Sequence, residues 1–219
     1  MSRILVDQVR SNSASGDAIT LDGNGKCAIN ATTINSLTFP TSDGSANQLI
    51  KTNGSGALSF ETVAGGLTEI DLWRISSTFQ GGANPITSNW ERGDSNGEAK
   101  LGTGMTESSG VFSFPSTGYW HITFHSNFYA GTDYNSCIVY LKVSIDGGSN
   151  YSDNTDGYSD LYQPSSNGYG SAEATQVLKV TSTSDFKMTF GVSGEQYKYS
   201  VGGSSQNHTY VIFQKLADI

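Results

Sequence analysis

Positive charge is the first thing this 219-residue chain has little of: 12 Lys and Arg stand against 20 Asp and Glu, a formal charge of −8. Affinity for nucleic acid comes largely from Lys and Arg neutralising phosphates, so the balance argues against a nucleic-acid partner and against electrostatic docking on anionic lipid or acidic glycan. Cysteine is equally scarce. Cys27 and Cys137 fall in different parts of the chain with no third beside them, which leaves no disulfide framework and no cysteine zinc site, so both read as small buried or half-buried thiols. No apolar run approaches the roughly 20 residues that a membrane helix needs. Ile4-Leu5-Val6, with Asp7 directly behind it, is too short for a signal peptide. The expectation is a chain made in a cytoplasm, without membrane insertion, that reaches any outside location by another route.

Catalytic motifs are missing as well. Gly-x-Ser-x-Gly, His-Glu-x-x-His and a phosphate loop do not occur. Glu69 with Asp71, or Glu91 with Asp94, can be paired on paper, but any acidic chain offers such pairs and spacing alone does not make a glycosidase site. No enzyme and no cofactor are expected, and hydrolysis of a surface polysaccharide is the weakest of the alternatives.

Aromatic residues are absent from one part of the chain and crowd the other. All 3 Trp, all 11 Tyr and 8 of the 10 Phe lie after residue 66. Residues 67–219 therefore have the bulk for a core, and residues 1–66, rich in Ser, Thr, Asn, Ala and Gly, do not. Ala64-Gly65-Gly66 is the natural hinge between them.

What is there centres on Gly110 to Phe128. Val111 to Phe114 and Tyr119 to Phe128 alternate around a Pro-Ser-Thr-Gly corner, as strand, tight turn and strand. Trp120, Ile122, Phe124 and Phe128 share one parity; Tyr119, His121, Thr123, His125 and Asn127 share the other. The second face is polar but uncharged, which suits water or a wet subunit interface. Further strands are expected at Leu72 to Phe79, around Trp90, and at Ser136 to Ile145, Ala174 to Val180, Phe186 to Val192, Lys198 to Val201 and Tyr210 to Leu216, the last a central strand. No helical period exceeds a turn or two, so the class is all-β, a sandwich or barrel.

Gly-Val-Phe-Ser-Phe-Pro-Ser-Thr-Gly-Tyr-Trp, residues 110–120, resembles the Gly-x-Phe-x-x-Pro-x-x-Gly-x-Tyr region of complement globular-head and tumour-necrosis-factor-like jelly rolls. Trp90-Glu91-Arg92 and Lys100 to Met105 look like the bacteriophage form of that head, in virion fibre proteins. The resemblance implies a ten-stranded jelly-roll sandwich over residues 67–219, a homotrimer, and no enzymatic activity. Phe39-Pro40-Thr41-Ser42-Asp43-Gly44 through Phe60 is similar to a module of phage tail-fibre stalks. A virion appendage exposed on the particle surface is the reading that follows, with residues 1–66 as anchor and stalk. Residues 1–10 would meet another virion protein, and the head would meet a host cell-surface glycan or protein. A structural capsid or tail decoration without receptor binding is the alternative.

In the N-terminal part, short apolar runs flank turn dipeptides, as hairpins do: Ile19 and Leu21 before Gly23-Asn24-Gly25, and Gln48 to Thr52 before Asn53-Gly54-Ser55-Gly56. An isolated hairpin is marginal in water, so these need other copies or the head to pack on. Asp146 to Ala172 reads as a long irregular loop, and Tyr151, Tyr158, Tyr162 and Tyr169 within it are the expected receptor contacts, since Tyr gives broad contact area at low entropic cost. Asp153, Asp156 and Asp160 form a weak calcium candidate; the spacing departs from the twelve-residue helix-loop-helix pattern. Tyr119, His121, Thr123 and His125 are the expected trimer interface, and histidines gathered there would weaken assembly on acidification.

Overall fold

The computed structural model describes residues 8–9, 19–21, 27–29, 33–34, 36–62, 66–95, 97–131, 135–161, 168–193 and 198–219. The chain divides into two compact units, 1–65 and 66–219.

Among its described residues, the first unit holds short strands. β1 (Gln8–Val9), β2 (Ile19–Leu21) and β3 (Cys27–Ile29) form one antiparallel sheet, β4 (Thr33–Ile34) pairs with β5 (Leu37–Thr38), and β6 (Gln48–Thr52) pairs with β7 (Leu58–Thr62). The β6–β7 turn is closed by Asn53, whose Oδ1 accepts the backbone N–H groups of Ser55 and Ala57 at 2.8 and 3.0 Å. Gly54 and Gly56 take the positive φ this turn demands, 77° and 88°. Leu49 and Ile50, neighbours on opposite faces of the hairpin, remain 62% and 55% exposed. The anchor expected at residues 1–10 lies outside the described residues except for Gln8–Val9.

The second unit is a sandwich of two antiparallel sheets. In the first sheet, β10 (Trp90–Arg92), β8 (Ile70–Ile75), β19 (Thr209–Ala217) and β13 (Gly118–Ala130) run side by side, and β16 (Gly168–Val180) covers the far side of β13. β9 (Ser77–Gln80) follows β8 after the single residue Ser76, and β18 (Lys198–Gly203) precedes β19 along the same flank of β13, so the two interrupted strands lie next to each other. The second sheet has the order β11 (Thr106–Ser108), β12 (Val111–Ser113), β17 (Lys187–Val192), β14 (Asn135–Ser144), β15 (Ser152–Leu161). Counting each interrupted strand once gives five strands per sheet, the ten-stranded jelly roll. β19 is central, between β8 and β13.

Strict alternation builds the core. Trp120, Ile122, Phe124 and Phe128 of β13 are all at most 1% exposed, and so are Val211 and Phe213 of β19. They meet Phe112, Val139, Leu141, Met188 and Phe190 from the other sheet, also fully buried. Phe112 is the hub, with ring centroids 5.1 Å from Trp90, 5.4 Å from Phe190 and 5.4 Å from Phe213. Packed aromatic pairs of this kind contribute roughly 0.5–1.5 kcal/mol each beyond their burial.

One expectation is overturned. The stretch from Asp146 to Ala172 is no loop: it holds all of β15 and the start of β16. The inward positions of β15 are Thr155, Gly157, Ser159 and Leu161, which pair with Leu141, Val139, Cys137 and Asn135. At Gly157 a Cβ would come within 1.9 Å of the Glu173 carbonyl oxygen of β16. Around Gly157 the strand runs too close to its neighbour to carry apolar bulk inward, and with Leu161 at its end as the single large inward side chain its alternation never shows. Thr106–Ser108, equally polar, also forms a strand that the pattern does not announce.

Candidate functional site: the two outward faces of the sandwich

The outward side chains of the first sheet lie in rows across its strands. Tyr199, Tyr129 and Tyr169 make one row. The rings of Tyr129 and Tyr199 stack at 4.5 Å and 5°, and Tyr169 leans on Tyr129 at 6.1 Å while staying 75% exposed. Tyr210, His125 and Glu173 make another: the imidazole stacks on Tyr210 at 5.1 Å, its Nδ1 lies 3.5 Å from Glu173, and its Nε2 lies 2.9 Å from Asn127 Oδ1. Asn127 Nδ2 is in turn 3.5 Å from His208 Nδ1, whose Nε2 is 2.8 Å from Gln206 Oε1. Thr123 lies between Ile212 and Thr175 and meets the Thr175 hydroxyl at 3.3 Å. His121, 3.2 Å from Gln214 Oε1, sits opposite Val177, which is 55% exposed. Tyr119, 38% exposed, has the Lys179 ammonium 5.7 Å from its ring centre. A hollow of about 390 Å³ opens among Asn127, Tyr169, Ser171, Val201 and His208.

The four expected interface residues thus share one face of one strand, and the chain's third histidine joins them. His208 stands just before β19, the strand that pairs with β13, and nothing in its own surroundings in the sequence marks it; only the pairing of β19 with β13 brings it there. The flank of this face is closed. Arg74, opposite Tyr210, is 1% exposed because Glu91, Asp94, Glu98 and Asn207 cover it. Burial works against the charge on Glu98, yet hydrogen bonds from Asn207 and Arg74 hold its carboxyl below the usual range.

The outward face of the second sheet is different chemistry. Tyr140 and Lys142 on β14 stand opposite Asp156 and Asp153 on β15. Lys142 Nζ pairs with Asp153 Oδ1 at 2.8 Å and lies 5.9 Å from the centre of the Tyr140 ring. Tyr158, opposite Ile138 and 69% exposed, donates its hydroxyl to Asp156 Oδ2 at 3.3 Å. The Asp156 charge, more than burial, raises the Tyr158 hydroxyl above its ordinary pKa. At the end of β14 the Asp146 carboxylate accepts bonds from the Ser144 hydroxyl at 2.6 Å and from the Ser149 and Asn150 N–H groups at 3.1 and 2.9 Å. Those bonds, that of the Ser144 hydroxyl first, pull its pKa down to about 2.

The four tyrosines expected to act together do not form one surface. Tyr158 faces out from the second sheet, Tyr169 faces out from the first, Tyr151 is half-buried with its hydroxyl beside Gly148, and Tyr162 lies outside the described residues. Strand geometry also spreads the calcium candidates. Asp153 and Asp160 are seven residues apart on β15, on the order of 23 Å at the usual strand rise. Among the described residues no group of three His, Cys, Asp or Glu is placed to hold a metal ion.

No protein-family model matches the chain, and no curated protein matches it. Solved structures do. Eiger TNF from S. frugiperda superposes with a TM-score of 0.54 at 10% identity, covering 70% of this chain and 96% of that one. Murine APRIL at pH 5.0 superposes with a TM-score of 0.48 at 13% identity, covering 68% and 98%. At such identity the likeness to Eiger TNF is one of fold, and the second unit of this chain is a jelly roll of the tumour-necrosis-factor type.

Proposed function

We propose that this chain is a non-enzymatic, homotrimeric appendage protein of a bacteriophage virion, with a jelly-roll head that attaches to a host-surface glycan. The observation that carries the reading is the outward face of the first sheet. Tyrosines, histidines and threonines without dense charge lose little when water leaves, whereas buried unpaired charges cost several kcal/mol. Tyr119, His121, Thr123 and His125 sit in the middle of that face. The exposed Val177 and Tyr169 beside them add apolar area that a second copy would cover. The resemblance to phage fibre heads supplies the number three and the virion setting. In the first unit, exposed Leu49 and Ile50 on the β6–β7 hairpin support a stalk that packs against other copies, with residues 1–10 as the anchor. Three identical heads would add weak contacts with a repetitive glycan through avidity.

The test is the native mass of the full chain and of residues 66–219. Trimers in both support assembly through the head. Trimers of the full chain alone move assembly to the stalk, and monomers in both overturn the reading.

A further inference from the structure

We infer that the outward face of the second sheet, at Tyr140 and Tyr158, is the sugar-binding surface, and that it takes a neutral saccharide. The inference rests on the attachment reading above and gives it a place. Tyr140 and Tyr158 are diagonal neighbours across β14 and β15, a spacing that aromatic side chains bridge. Their ring faces offer the negative quadrupole against which the polarised C–H face of a sugar ring stacks.

The polar groups around the rings decide the ligand class. Lys142 Nζ and the Tyr158 hydroxyl are donors; Asp153 and Asp156 are acceptors. Each is already held by a neighbour: Lys142 by Asp153, and Tyr158 by Asp156. Among the described residues those bonds engage Asp153 Oδ1 and Asp156 Oδ2, which leaves the second oxygen of each carboxylate for a ligand. Sugar hydroxyls both donate and accept, so they fit this mixture. An anionic sugar would meet Asp153, Asp156 and Asp160 on one strand. A simple cation would find the Tyr140 ring and Asp153 already served by Lys142. Because Lys142 is already paired with Asp153 and the Tyr158 hydroxyl with Asp156, part of the side-chain entropy is spent before a ligand arrives. The face also points away from the one that the chain would use for itself, so assembly leaves it open.

The experiment is saturation-transfer NMR on the full chain with four neutral methyl glycosides (gluco, galacto, manno and rhamno), glucuronate and a lysine nonapeptide, with native mass recorded on the same samples. At least one neutral glycoside is expected to receive saturation from tyrosine protons, with glucuronate silent. Tyr158→Ala and Tyr140→Ala should each weaken binding at least tenfold, and Tyr158→Phe two- to fivefold, while the native mass of all three variants stays that of the wild type. Wild-type binding that survives both alanine variants overturns the inference and leaves the attachment reading standing. A wild-type chain silent with every sugar overturns both, and one that binds only glucuronate overturns the neutral-saccharide inference and leaves the attachment reading standing. Salt-sensitive binding of the lysine peptide without any sugar makes the face an electrostatic surface and sinks the saccharide.

Discussion

β13 and β14 are long interior strands of their sheets, and they solve the same interior problem in the same way. Inward, β13 presents Trp120, Ile122, Phe124 and Phe128; β14 presents Cys137, Val139, Leu141 and Val143. Outward they part. β13 and its neighbours carry stacked tyrosines, histidines and threonines, and their charged groups sit at the margins, in Glu173, Lys179 and the covered Arg74. β14 and β15 carry Lys142 among three aspartates. The interior fixes the fold, and the exteriors are free to differ. One face can give up its water cheaply; the other keeps it.

The largest effect comes from removing what both faces stand on. Ending the chain after Val211 deletes most of β19, including Phe213, and leaves β8 and β13 with no strand between them. Neither face should survive, and circular dichroism with urea titration is expected to find no cooperative transition; a soluble, folded truncation would remove the central role of β19. Phe112→Ala is the next test, because that ring touches both sheets. Truncating a buried Phe costs about 3–5 kcal/mol, read as a lower urea midpoint with both faces weakened alike.

The direct test of the contrast uses one substitution on each face. Thr123→Arg puts a new charge among Ile212, Thr175 and its copies, and native mass is expected to fall to that of one chain. Tyr140→Arg on the other sheet should leave the mass unchanged. Equal effects from the two would erase the distinction between the faces.

Much of this was legible in the chain. The parity of Tyr119 to Phe128 carries both the core and the outward face of β13, because a strand buried on one side must alternate. The central place of β19 was legible in the apolar run Tyr210-Val211-Ile212-Phe213 near the end of the chain, and the strand lies between β8 and β13. β15 was not, since the approach of Gly157 to Glu173 removes the very side chains that would reveal it. His208 and Arg74 escape for another reason. Their surroundings come from strands distant in sequence, Asn127 for one and Glu91, Glu98 and Asn207 for the other, so no local spacing encodes them. The tyrosines 158 and 169 look adjacent in a string of residues. A sandwich edge lies between them.

The smallest expected effects concern chemistry at the second sheet. Burial pushes the Cys137 thiol up to about 11, so in a Cys27→Ser background at pH 8 it should react with a thiol reagent only on unfolding; labelling of the native chain would show Cys137 to be accessible. The Asp146 turn gives a finer test of how independent the two faces are. Its carboxyl lies near 2 when folded, against an ordinary 3.8. A depressed carboxylate contributes stability that is present above its unfolded pKa and lost as pH falls through the folded one, so the window runs from about pH 4 down to about pH 2. Glu98, also depressed, loses its contribution in the same direction under the first sheet. Asp146→Asn should therefore remove only part of the acid sensitivity. The fall in urea midpoint between pH 6 and pH 2.5 becomes smaller than in the wild type without vanishing, and the native mass at pH 6 stays the same. If the substitution instead dissociated the assembly, the turn beyond β14 and the face of β13 would be coupled, and the two exteriors would no longer count as separate surfaces.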